Sequence, residues 1–156
     1  MTDTTHESGS GPLTEGCRLS LSTRAVVVRA GSPVVLALVF SNDGPTPVGF
    51  PRASMWFEYD YTVSSGAGQA VELTPLGQEK LRSMQEQGGT LLDVQPGGRM
   101  ASTVEISGLY DMSRPGTYVI TATKTVPNRA GDGFIKVASN TITVKVEEGP
   151  RGAGPR

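Results

Sequence analysis

Residues 109–122, Leu-Tyr-Asp-Met-Ser-Arg-Pro-Gly-Thr-Tyr-Val-Ile-Thr-Ala, constrain the fold more than any other part of the chain. An aspartate side chain bonds the backbone of a turn, proline presets its own φ, and glycine accepts conformations closed to other residues. Asp111, Pro115 and Gly116 therefore mark a tight corner, and the β-branched run after it marks a strand. Tyr118 stands at the start of that strand. This arrangement predicts the entry into a central strand of a β-sandwich, with the Tyr118 hydroxyl bonded to backbone at the corner. Tyr110 is the second candidate for that bond.

Period-two patterning recurs along the chain. Cys17, Leu19 and Leu21 alternate with Arg18, Ser20 and Ser22, as in a half-buried strand. Residues 34–40 are apolar at every position and predict a central strand. Asn-Asp-Gly-Pro at 42–45 is a strong turn. Residues 55–63 predict a strand with Met55, Phe57, Tyr59, Tyr61 and Val63 on one face and Trp56, Glu58, Asp60 and Thr62 on the other. Between strands, Thr74 suits an N-cap, Pro75 the first helical position and Gly88 the stop, which predicts one short helix over 75–87. Later, Tyr118, Ile120, Ala122 and Val126 share a face, and Ile142, Val144 and Val146 share another. Ile135 and Val137 are out of phase with the latter, so a bulge or bend is expected near Ser139 and Asn140. The sum is an all-β, antiparallel two-sheet sandwich of seven to nine strands with one inserted helix. Residues 15–147 form the domain, and 1–14 and 148–156 are expected to be disordered tails.

At 156 residues the chain suits a single core. With 14 basic and 15 acidic residues it has no basic field for nucleic acid or an anionic membrane surface. No apolar run approaches a membrane span, and the polar N-terminus does not resemble a signal peptide, so a cytoplasmic location is expected from the sequence as given, and a secreted or periplasmic one if it is trimmed. Cys17 is the single cysteine, which precludes an intrachain disulfide; it suits a small core position at the start of the first strand.

The order of the Asn-Asp-Gly-Pro turn, a Phe-x-Tyr-x-Val strand, a hairpin, a Pro-Gly turn and Tyr-Asp-Met-Ser-Arg-Pro-Gly-Thr-Tyr resembles immunoglobulin-like domains. It is similar to the accessory or propeptide domains of deuterolysin-type metalloproteases and to the bacterial intracellular proteinase-inhibitor family. It also resembles uncharacterised immunoglobulin-like domains of environmental bacteria. The resemblance covers roughly residues 19–146 and consists of turns and core positions. It implies an immunoglobulin-like sandwich, and a proteinase inhibitor as one function.

Protease chemistry does not follow from it. The one histidine is His6, and there is no His-Glu-x-x-His motif to hold zinc. A serine or cysteine nucleophile would have to recruit His6. Glu58 and Asp60, two apart on one strand face, could serve as a general acid and base or as calcium oxygens, and are more simply a solvated face. Asp132-Gly133 is most simply a turn. Trp56 either faces out and anchors a partner or sugar, or is covered by the inserted helix or turned inward by a bulge. The 128–134 loop, with Arg129 and Phe134, is the other contact surface.

These observations lead to a non-enzymatic domain that binds protein or peptide, without cofactor or metal. Trp56, Glu58, Asp60, Arg129 and Phe134 are the candidate binding residues. Asp111, Pro115, Gly116 and Tyr118 are structural. A proteinase inhibitor and a carbohydrate-binding module are the alternatives.

Overall fold

A computed structural model describes residues 9–52, 56–86 and 90–148. The strands are β1 (Cys17–Thr23), β2 (Val27–Arg29), β3 (Val35–Asn42), β4 (Val48–Arg52), β5 (Asp60–Ser65), β6 (Thr90–Val94), β7 (Arg99–Glu105), β8 (Gly116–Pro127), β9 (Phe134–Ala138) and β10 (Ile142–Glu147). The helices are α1 (Pro75–Glu86) and α2 (Ile106–Leu109). Two sheets form the sandwich. One has the order β1-β3-β7; the other has β2-β10-β8-β5, with β9 also on β8. A separate ribbon pairs β4 with β6.

The alternation in sequence produces this layering. Leu19, Leu21, Leu36, Leu38 and Phe40 point inward from the first sheet, and Ile120, Ala122, Val126, Ile142 and Val144 from the second. All ten are at most 1% exposed, and burying each large aliphatic side chain contributes about 1.5–3 kcal/mol. Cys17 is buried among them, and burial raises its thiol pKa, so it behaves as a small core residue. The ribbon closes one side, with Phe50 edge-on to Phe40 at 5.0 Å between centroids and to Tyr59 at 6.0 Å.

Several expectations change. Ten strands occur among the described residues, because short pieces such as β2 pair with longer neighbours. The sheets are not wholly antiparallel: β2 runs parallel to β10. Two helices occur among the described residues, the second a single turn that continues β7. Residues 9–14, expected in a tail, lie against the domain: Gly11 N donates to Leu19 O at 2.9 Å and Thr14 bridges Cys17. Residues 1–8 and 149–156 lie outside the described residues, as do Met55, Gln87 and Gly88.

The bend near Ser139 and Asn140 is present and has a specific form. On one edge of β8, β9 pairs Ala138 with Thr123 and β10 pairs Ile142 with Ile120. One more residue lies between the pairs on the outer strand than on β8, which is a bulge and shifts the side-chain phase by one. Asn140 fills the kink, with its side chain bonded to both Leu21 N (2.8 Å) and Leu21 O (2.9 Å).

Helix α1 starts as expected: Thr74 Oγ1 accepts from Gly77 N at 2.9 Å. Leu81 and Met84 pack on the core, whereas Leu76 is 40% exposed. Gly77 is where α1 meets α2, since a Cβ there would overlap Leu109 O. In an open helix Gly→Ala gains roughly 1 kcal/mol. Here Gly77→Ala is expected to destabilise by about 1–3 kcal/mol, because the obstruction is backbone. A lowered urea midpoint would show this; a raised midpoint would mean that α1 does not press on α2.

Candidate functional site

The open edge of β7 is one surface with unsatisfied bonding capacity among the described residues. β7 pairs with β3 in a constant register, Val35 opposite Glu105 through Ser41 opposite Arg99. Asn42 N donates to Gly98 O and Ile106 N to Val34 O. The even-numbered residues of β7 therefore bond to β3, and Arg99, Ala101, Thr103 and Glu105 turn their N–H and C=O groups the other way. No strand pairs with that edge among the described residues.

Beside this edge lies a cleft of about 260 Å³ lined by Met100, Ala101, Ser102 and Thr103 on one wall and Phe50, Arg52, Glu58 and Tyr59 on the other. Four consecutive residues of one strand line a cleft only when it runs along the strand's edge, because a face presents alternate residues. Tyr59 forms a side-chain hydrogen bond with Ser102, which ties the two walls, and burial drives its pKa upward. A larger hollow, about 590 Å³, lies by Val28, Pro33, Val34 and Val35. It touches β1 and β3, whose backbones pair with each other, together with Val28 of β2 and Thr103 of β7, and Arg24 is its sole charged lining residue. The β7 cleft is smaller but combines backbone donors and acceptors with aromatic and charged walls.

Behind the Phe50–Tyr59 wall sits a buried cluster of charged side chains. Lys124 is 6% exposed and Glu58 7% exposed. Lys124 Nζ donates to the Glu58 backbone O at 2.7 Å, lies 3.8 Å from Glu58 Oε2, and sits 4.4 Å from the centre of the Phe50 ring. Arg52 Nε lies 3.1 Å from the same Oε2. Burial lowers the Lys124 pKa and Glu58 pulls it back. The signal was available: Lys124 falls on the inward phase between Ala122 and Val126.

This corrects the expected solvated face for Glu58. The chain bends through residues 56–59 and β5 begins only at Asp60, so Phe57, Glu58 and Tyr59 are all buried in succession. Strict alternation cannot bury three residues in a row. Asp60 stays exposed, although its charge, like that of Glu58, favours the protonated form of Lys124.

Trp56 is half-buried against the core, with Lys80 of α1 4.9 Å from its ring centre, so the inserted helix covers one face. Arg129 is not an open contact. Its Nε donates to Glu15 O (2.8 Å), Nη1 to Thr46 O (2.7 Å) and Thr46 Oγ1 (2.6 Å), and Nη2 to Asn42 Oδ1 (2.7 Å). It ties the first turn to the Asn-Asp-Gly-Pro turn. The 128–134 loop closes on itself through Asn128, whose side chain bonds Gly131 N, Asp132 N and the Asp132 carboxylate. Phe134 projects from it, 71% exposed.

The corner residues occupy their expected places. Tyr118 Oη donates to Arg114 O at 2.6 Å. Asp111 Oδ1 accepts from Ser113 N (3.1 Å) and Ser113 Oγ (2.6 Å), bonds that lower its pKa. Pro115 is exposed, and Gly116 adopts φ 149°, which favours glycine. Tyr110 Oη instead reaches Tyr61 O at 3.4 Å.

Among the described residues no group of three or more His, Cys, Asp or Glu is placed to hold a metal ion. No helix among them is long and apolar enough to cross a membrane. No family model matches the chain, and no curated protein matches it. Among solved structures it is similar to a Northeast Structural Genomics Consortium target, SoR45, known by X-ray diffraction. The TM-score is 0.45 at 8% identity, over 90% of this chain and 83% of that one.

Proposed function

We propose that this domain is a non-enzymatic interaction module of immunoglobulin-like type that binds an extended protein or peptide segment by strand addition at β7. The observation that carries the reading is the unpaired edge of β7 facing a cleft walled by Phe50, Arg52 and Tyr59. Backbone groups at such an edge take up another strand, while side-chain recesses beside it select alternate residues. The immunoglobulin-like assignment is supported by β2 lying parallel beside β10 and by the Tyr118–Arg114 bond at the corner. The inhibitor and carbohydrate readings have less behind them. Trp56 carries Lys80 on its ring, and the 128–134 loop is braced internally.

Thr103→Pro tests the proposal. Thr103 N–H points to the open edge, so proline removes a donor there and leaves the β3 ladder intact. The variant is expected to keep the wild-type melting temperature within a few degrees and to lose binding to extended peptides, selected on the wild type, by about tenfold or more. Amide shifts at Ala101 and Thr103 should accompany binding to the wild type. If Thr103→Pro binds those peptides as tightly as wild type does, strand addition at β7 is wrong.

A further inference from the structure

The charges on β7 point to one partner for its edge. Resting on the strand-addition reading, we propose that a second copy of this chain adds its own β7 antiparallel to the first, about a twofold axis at Ser102, so that the two three-stranded sheets become one continuous sheet.

In an antiparallel twofold pair centred on Ser102, Ala101 lies opposite Thr103 of the second copy, and Arg99 lies opposite Glu105 of the second copy. Every residue whose backbone faces the open edge then meets a residue of the same kind, so the ladder's hydrogen bonds close in both directions. Symmetry repeats each pair, as an isologous interface requires.

Side chains select this register over its neighbours. Arg99 and Glu105 are both exposed, on the outer face of the sheet, and neither forms an ion pair among the described residues. Of the twofold registers, only the one centred on Ser102 sets them directly opposite, and it does so twice. Opposite charges across a strand pair favour association, and like charges oppose it. Between them lie Ala101 and Thr103, small enough to let two edges approach. Met100 and Ser102 of the second copy would enter on the inner side, the side lined by Phe50 and Tyr59.

Sedimentation velocity of the full chain across a concentration series tests this. The wild type is expected to shift from monomer to dimer as concentration rises. Arg99→Glu and Glu105→Arg, each alone, should weaken association by about tenfold, because each sets two like-charged pairs face to face. An equimolar mixture of these two variants should associate again. One copy then carries a carboxylate at both positions and the other a guanidinium at both, so each of the two pairs joins opposite charges. The double variant R99E/E105R should dimerise like wild type, and Thr103→Pro should remain monomeric.

A wild type that stays monomeric at hundreds of micromolar overturns the proposal. So do single charge variants that associate as tightly as wild type, or a mixture that fails to recover. The two readings separate cleanly. A monomeric wild type that still binds extended peptides in a Thr103→Pro-sensitive way retains strand addition and loses self-pairing. If Thr103→Pro changes neither mass nor peptide binding, both fail.

Discussion

Replacing Asn42 by alanine is expected to lower the unfolding free energy by about 4 kcal/mol, a large share of the roughly 5–15 kcal/mol that holds a domain of this kind. Asn42 is fully buried and satisfied at both ends of its amide. Its Nδ2 donates to Thr46 O and Val94 O, both at 2.8 Å. Its Oδ1 accepts from Gly44 N at 3.0 Å and Arg129 Nη2 at 2.7 Å. Alanine removes all four bonds, one of them to the buried Val94 carbonyl, and each buried group left without a partner costs about 1–3 kcal/mol. The turn at 42–46, the entry to β7 and the Arg129 tie all loosen together. Urea denaturation measures the loss. Arg129→Met should cost less, and the double variant less than the sum, because the two share a bond. A loss below about 1 kcal/mol for Asn42→Ala, or strict additivity with Arg129→Met, would show that the network does not hold the turn.

The second large effect is expected at the buried pair. Glu58→Leu removes the carboxylate facing Lys124 and leaves an ammonium buried against Phe50 and Tyr59, at a cost of about 3–5 kcal/mol. Adding Lys124→Met should recover most of that loss, since the isolated buried charge is then gone. The pH dependence carries the same signature. Lys124 in the folded domain has a pKa below its ordinary 10.5, chiefly from burial. The unfolded chain therefore holds that proton more tightly, and the charged lysine opposes folding below its folded pKa. This penalty fades as pH rises toward 10.5. Glu58→Leu removes an opposing influence and lowers the folded pKa further. Its deficit relative to the double variant should accordingly shrink as pH is raised toward 10.5. A deficit that is independent of pH, or a double variant no more stable than Glu58→Leu, would remove the charge as the cause.

Much of the sandwich was legible in the residues themselves. The periodicity of β1, β8 and β10, the N-cap at Thr74, the corner at 111–118 and the bulge at 139–140 are local. Each depends on a few neighbouring side chains and on the two-residue repeat of a strand, so each can be read along the chain. Strand order is not local. Whether β7 has one neighbour or two depends on how the sheets close, and its odd-numbered residues look the same in sequence either way. The open edge, and with it the candidate binding site, therefore emerged only in three dimensions. The burial of Glu58 between Phe57 and Tyr59 escaped for a related reason, since a bend breaks the alternation on which the expectation rested. Arg129 and Lys124 are the sharpest cases. A long cationic side chain in sequence signals a surface, because charge is costly to bury. Only the folded chain supplies what overrides that default: three carbonyls or amide oxygens converging on Arg129, and a carboxylate with two aromatic faces around Lys124.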